Sequence, residues 1–133
     1  MKVAAILARI VAGVDVTKKE KKKMNANNYQ KLASRTIPPL LLEDEEAMHA
    51  LHGMVGEIGE IHSIFQKKYQ GHNLDTDHIR KELGDLMWFI AEFCTAMKWN
   101  MCEVMQENID KLIARYPDGF NTNQSLHRAE NDI

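Results

Sequence analysis

Residues 56–90 read GEIGEIHSIFQKKYQGHNLDTDHIRKELGDLMWFI. They hold two acid pairs, Glu57 with Glu60 and Glu82 with Asp85, each at the three-residue spacing that sets side chains together on one helix face. The second pair interrupts a run as apolar as LGDLMWFI, where an uncompensated carboxylate is expensive. Gly71, His72 and Asn73 break the helical pattern between the pairs, so the segment predicts two helices folded back on each other. Glu57 and Asp85 lie fourteen residues either side of Gly71, and Glu60 and Glu82 eleven, so each couple shares a height in such a hairpin. The expected loop, residues 71–75, is centred a little later, an offset of about 3 Å at 1.5 Å per residue. Four carboxylates are therefore expected to converge at one level.

Converging anions repel, and beside apolar walls each tends to take up a proton. A divalent cation removes both penalties. An all-oxygen donor set selects a hard ion, Mg²⁺ with Mn²⁺ as a substitute, over zinc.

Outward from the hairpin, the first helix extends back through LLLEDEEAMHALHGMV. Its apolar positions Ala47, Leu51, Met54, Val55, Ile58, Ile61 and Phe65 keep the helical period. Asp44 or Glu43 is the expected cap of its start. Further upstream, a short helix within residues 27–36 ends before Pro38-Pro39, which enforce an extended break. The second hairpin helix begins near Asp75–Asp77. It places Ile79, Leu83, Leu86, Met87, Ile90, Cys94 and Met97 on one face, which Phe89, Phe93 and Ala96 extend towards Glu82, so burial on two sides is expected. Asn100 with Glu103 three residues later is a capping arrangement for a fourth helix, MCEVMQENIDKLIARY, which stops at Pro117. The polar tail after Phe120 is expected to fray. Strand-like alternation, internal repeats and Gly-rich phosphate loops are absent from the sequence. The fold class is all-α, an antiparallel helical bundle with short connections.

At 133 residues the chain has room for one domain. Its net charge of -2 offers no global basic field for nucleic acid, so no nucleic-acid partner is expected. Cys94 and Cys102 form no CxxC pair and follow no secretory signal; they read as reduced thiols of a cytoplasmic protein. The opening MKVAAILARIVAGV is broken by Arg9 and falls short of the roughly 20 apolar residues that cross a membrane, so no membrane is expected. Lys19-Glu20 can be encoded by a purine-rich ribosome-binding sequence, with three lysine codons as spacer before Met24. Translation is thus expected to start naturally at Met24, with a disordered or weakly helical basic tail as the alternative. The expected organisation is an N-terminal extension over 1–23, a helical domain over 24–120 and a polar tail over 121–133.

EIGE, a twenty-one-residue spacer and ELGD together resemble the ExxE…ExxD pattern of the MazG-like nucleotide pyrophosphohydrolases, an all-α nucleoside triphosphate pyrophosphatase superfamily. NIDKLIARYPDGF is similar to the NxxKLxxRYPxGF stretch common there, and the resemblance covers roughly residues 28–120. It implies that Glu57, Glu60, Glu82 and Asp85 bind Mg²⁺ and that Asn108, Lys111 and Arg115 face phosphate. Their spacings of three, four and seven put the latter three on one helical stripe. The implied activity is Mg²⁺-dependent cleavage of a nucleoside triphosphate to the monophosphate and pyrophosphate, in nucleotide-pool housekeeping, by a homodimer or homotetramer. Some members carry a further glutamate directly before the first ExxE; Gly56 stands there in this chain, so Glu57 and Glu60 are both candidates for the base. The resemblance also suggests that Tyr29, Gln30 and Arg35 close over the nucleotide.

Three other features invite readings. His49 and His52 lie a turn or more before the carboxylates and read as surface or core-edge residues, and Trp88 as a packing residue. Glu46 with His49 forms an ExxH, but a di-iron site needs a second one, and the only partner, Asp75 with His78, falls at a helix start. The stronger rival is a non-catalytic helical oligomerisation or regulatory protein that keeps the nucleotide-binding scaffold.

Overall fold

Two long helices joined through residues 70–75 carry the architecture. The structure is a computed structural model that describes residues 23–39 and 42–128. The expected extension, apart from Lys23, and the end of the tail lie outside the described residues. In chain order the elements are α1 (Ala26–Ala33), a 3₁₀ turn (Ser34–Thr36), α2 (Glu43–Tyr69), α3 (Thr76–Ala96), α4 (Met101–Arg115) and α5 (Thr122–Leu126). There is no strand among the described residues. The fold is all-α, with α2 packed along α3 and with α1 against both α3 and α4.

Capping chemistry sets the boundaries. Asn25, Asp75 and Asn100 accept backbone N–H bonds at the starts of α1, α3 and α4. Without such acceptors those first-turn donors would be orphaned. The start of α2 differs from expectation. Leu42 occupies the cap, and its side chain cannot accept a hydrogen bond; instead Glu45 reaches back to the Leu42 N–H at 3.0 Å.

Both hairpin-helix C-termini close by the same device. After α2, Gly71 takes φ +92°, with the His72 N–H bonding Lys67 O at 3.1 Å. After α3, Lys98 takes the same left-handed region at φ 60°, and the Trp99 N–H bonds Cys94 O at 2.8 Å. Gly71 adopts this conformation freely, whereas Lys98 does so at a cost of about 1 kcal/mol or more.

Gln30 locks α1 to the rest. Its Nε2 donates to Trp99 O at 2.9 Å and to Thr95 Oγ1 at 3.3 Å, while its Oε1 accepts from the Met101 N–H at 2.9 Å. These bonds clamp the α3–α4 turn. Trp88 donates from Nε1 to Thr36 Oγ1 at 2.8 Å and meets Phe89 edge-on, the packing role expected of it. Over residues 121–128 the tail carries structure: Asn121 caps α5, Tyr116 hydrogen-bonds Ser125, and the Tyr116 and Phe120 rings lie 5.6 Å apart.

The α2–α3 seam is narrow. Ala50, Ile64, Ala91 and Cys94 are buried in it, and Phe89 lies directly over Gly53. A methyl on Gly53 would stand 2.1 Å from a Phe89 ring carbon, so a side chain there would force the helices apart. Much of the apolar periodicity lies elsewhere. On α2, Leu51, Val55, Ile58 and Phe65 are exposed, Val55 at 71%. On α3, Leu83 and Met87 are exposed too, as is Met97 at its C-cap, against the expectation of burial on two sides. On α4, Val104, Met105, Ile109, Leu112 and Ile113 are exposed.

Candidate metal centre

The seam brings the four acids together. One carboxylate oxygen each from Glu57, Glu82 and Asp85 lies within 4.8 Å of the other two. Glu60 joins Glu82 and the His78 imidazole in a second group of the same dimensions. Glu82 belongs to both. It is also the buried member, at 8% exposure, while Glu57 is half-buried and Glu60 and Asp85 are exposed.

Electrostatics record the same convergence. Burial raises the Glu57 carboxyl above its usual range, helped by a hydrogen bond with Glu82 and by the negative charges of Asp85, Glu60 and Glu82. Tyr29 reaches this end of the seam, its hydroxyl donating to Gly84 O at 3.4 Å. Burial and then the Asp85 charge push its phenol upward.

This donor set fits a divalent cation. The carboxylate oxygens are hard ligands, they approach from facing helices, and one of them is held away from bulk water. Mutual repulsion within the cluster is the penalty that bound positive charge cancels.

Asn108, Lys111 and Arg115 are placed differently. They follow one stripe of α4, which packs chiefly on α1 rather than along the α2–α3 pair. Asn108 and Lys111 are exposed, and Arg115 is half-buried with its guanidinium 5.9 Å from the centre of the Tyr116 ring.

Two features escaped the sequence reading. His78 approaches Glu82, with Nε2 at 2.5 Å from Oε1; the four-residue spacing was its only signal. Two turns from the acids, His49 Nδ1 lies 2.9 and 3.0 Å from the two oxygens of Glu92, a side chain with no exposed surface. Burial raises the Glu92 carboxyl, His49 opposes that rise, and the Glu46 charge adds to it. His49 and Glu92 lie almost equally far from Gly71, and that symmetry was the available clue. The pairing commits His49 Nδ1 to Glu92, which leaves the ExxH reading without its histidine at that atom.

Comparison with curated proteins and with solved structures gave no match. A family model described as the MazG nucleotide pyrophosphohydrolase domain matches residues 39–120, a span that takes in α2, α3, α4 and every acid of the cluster. The match covers well over half of the chain, and the chain therefore belongs to the MazG nucleotide pyrophosphohydrolase family.

Proposed function

We propose that this chain hydrolyses nucleoside triphosphates between the α- and β-phosphates, releasing the monophosphate and pyrophosphate. The observation that carries the reading is the pair of donor groups sharing buried Glu82, one of carboxylates alone and one with an imidazole, in a chain of this family. Glu57, Glu60, Glu82 and Asp85 would hold Mg²⁺, or Mn²⁺ in its place. When bound, such a cation supplies Lewis-acid neutralisation of phosphate oxygens and lowers the pKa of water.

The remaining work falls to the chain's own residues. A water oxygen attacks the α-phosphorus, the bond to the bridging oxygen breaks, and pyrophosphate leaves with that electron pair. Glu57 or Glu60 accepts the water's proton. Lys111 and Arg115 hold the terminal phosphates through charge-assisted hydrogen bonds, and Asn108 adds a neutral one.

The apolar faces left open on α2, α3 and α4 support a homodimer or homotetramer, in which α4 of one copy can serve the acids of another. No helix among the described residues is long and apolar enough to cross a membrane. The decisive assay is a nucleotide panel with Mg²⁺, scored separately for pyrophosphate and orthophosphate, alongside light scattering for the mass in solution. Pyrophosphate release that is lost in chelator supports the proposal. Mg²⁺-dependent protection by nucleotide without any pyrophosphate would replace it with the non-catalytic binding scaffold.

A further inference from the structure

The second group of donors differs chemically from the first. Glu57, Glu82 and Asp85 offer oxygen only, whereas Glu60, His78 and Glu82 include an imidazole nitrogen. We propose that His78 is a metal ligand, and that it makes the Glu60–His78–Glu82 position a site for a borderline first-row dication such as Mn²⁺, in preference to Mg²⁺. The proposal rests on the metal-dependent reading above and adds to it a nitrogen-bearing position beside the all-carboxylate one.

Three observations support it. First, the arrangement is compact: all three donor atoms lie within 4.8 Å of one another. Metal–ligand bonds of about 2.0–2.2 Å separate neighbouring donors by about 3 Å and opposite ones by about 4 Å. Small rotamer changes therefore suffice. Second, the root of the ring is fixed. His78 is the third residue of α3, and its backbone N–H is tied to Asp75 Oδ1 at 2.9 Å. One helical turn on, Glu82 presents Oε1 to the ring. Third, Glu82 is nine-tenths buried and its carboxylate also meets Glu57. A carboxylate set between a second carboxylate and an imidazole sits where a shared cation relieves the repulsion. A simple helix-surface ion pair between His78 and Glu82 would not require Glu60 to converge on the same point.

The preference follows from ligand chemistry. Mg²⁺ holds oxygen donors and gives up water reluctantly, while imidazole suits first-row transition metals. Replacing His78 should therefore weaken Mn²⁺ far more than Mg²⁺.

The test uses the full chain without nucleotide, with Mn²⁺ as the probe. Electron spin-echo modulation reports directly on nitrogen bound to Mn²⁺, and calorimetry measures affinity for Mn²⁺ and Mg²⁺. Wild type should give the ¹⁴N signal, and His78→Gln should lose it, while the surface control His62→Gln keeps it. Removing a ligand should cost at least what loss of an outer-shell partner costs, about tenfold in Mn²⁺ affinity, with Mg²⁺ affected less than about threefold. His78→Asn provides a second, shorter replacement, and circular dichroism checks that each variant is folded. Absence of the ¹⁴N signal from wild type, its persistence in both His78 variants, or equal losses for the two ions would overturn the proposal. If Glu82→Gln abolishes Mn²⁺ binding while His78→Gln leaves it intact, only the role of His78 falls. If Glu82→Gln leaves Mn²⁺ binding unchanged, the metal centre itself falls with it.

Discussion

Replacing Gly53 with alanine sets two magnitudes against each other. In a helix interior, alanine is favoured over glycine by about 1 kcal/mol, so propensity alone predicts stabilisation. The new methyl, however, would stand 2.1, 2.3 and 2.4 Å from three carbons of the Phe89 ring. Normal carbon contacts are about 3.5–4.0 Å, so the ring or the helix must retreat by roughly 1.5 Å. The ring has little room to retreat, with Trp88 against it at 5.0 Å between centroids and His49 at 5.8 Å. Overpacking of this kind costs about 1–3 kcal/mol, and a displacement this large belongs at the upper end. The net expectation is destabilisation by about 1–2 kcal/mol, or a melting temperature lower by about 4–10 °C for a domain of this size. Gly56→Ala, on the same helix with nothing within 4 Å of its Cβ position, isolates the propensity term and should raise the melting temperature. Thermal melts of both variants in chelator measure the difference. A Gly53→Ala protein that melts at or above wild type would refute the close approach of α2 and α3. The same substitution should lower turnover, because Gly53 and Phe89 each lie about one turn from an acid of the cluster, Glu57 and Asp85 respectively.

Glu92→Gln tests the buried carboxylate through its pH dependence. Burial raises the Glu92 pKa from 4.5, so the folded state binds this proton more tightly than the unfolded chain, and wild-type stability falls as pH rises through that interval. The variant's advantage should therefore be absent near pH 4.5 and full above the folded-state value; an advantage independent of pH would refute the assignment. Glu82→Gln should melt at or above wild type in chelator, because a buried anion facing Glu57 becomes a neutral amide. With metal at 100 times its Kd, wild type gains about 2.7 kcal/mol and the order reverses; parallel shifts would mean that Glu82 holds no metal. Lys111→Ala and Arg115→Ala should each raise the KM for triphosphate by about tenfold or more, the worth of a hydrogen bond to a charged group, and an unchanged KM would remove them from the site.

The hairpin and its acids were legible because they depend on register. Gly71 fixed the fold-back, and three-residue spacing on both arms put the carboxylates at two adjacent levels, facing each other in couples. Burial was not legible in the same way. Asp85 sits in the apolar run LGDLMWFI yet is exposed, while Glu82, three residues earlier, is buried. The neighbours Leu83 and Met87 are themselves exposed, so the apolar character of the run does not report on its surroundings within one chain. Periodicity identifies a face without saying what covers it. His78 and Glu92 were missed for a related reason. Each is polar, each finds its partner through the α2–α3 crossing or one turn of helix, and no spacing rule ranks such pairs above ordinary surface charges. The start of α2 eluded the capping rules because Glu45 satisfies the Leu42 N–H from inside the helix, leaving no polar residue at the cap itself.

The same crossing explains why the site would depend on self-association, were copies to pair. Along the seam, successive levels hold Glu60 with Glu82, Glu57 with Asp85, Gly53 with Phe89, and His49 with Glu92. Three of these four levels carry ionisable groups, and among the described residues the largest side chain with no exposure is Glu92. Beside the few small apolar residues buried there, Ala50, Ile64, Ala91 and Cys94, these levels add little apolar surface, and burying charge is costly unless it is compensated. The stabilising apolar area is instead on the outer faces of the same helices. Val55 and Ile58 flank Glu57 in sequence, at 71% and 55% exposure. Covering that face in a homo-oligomer would add the missing apolar burial, at roughly 25 cal/mol per Å², on the backbone that positions the acids. On this account the chain places its ligands at a polar crossing, and association of copies would supply the rigidity that holds them together.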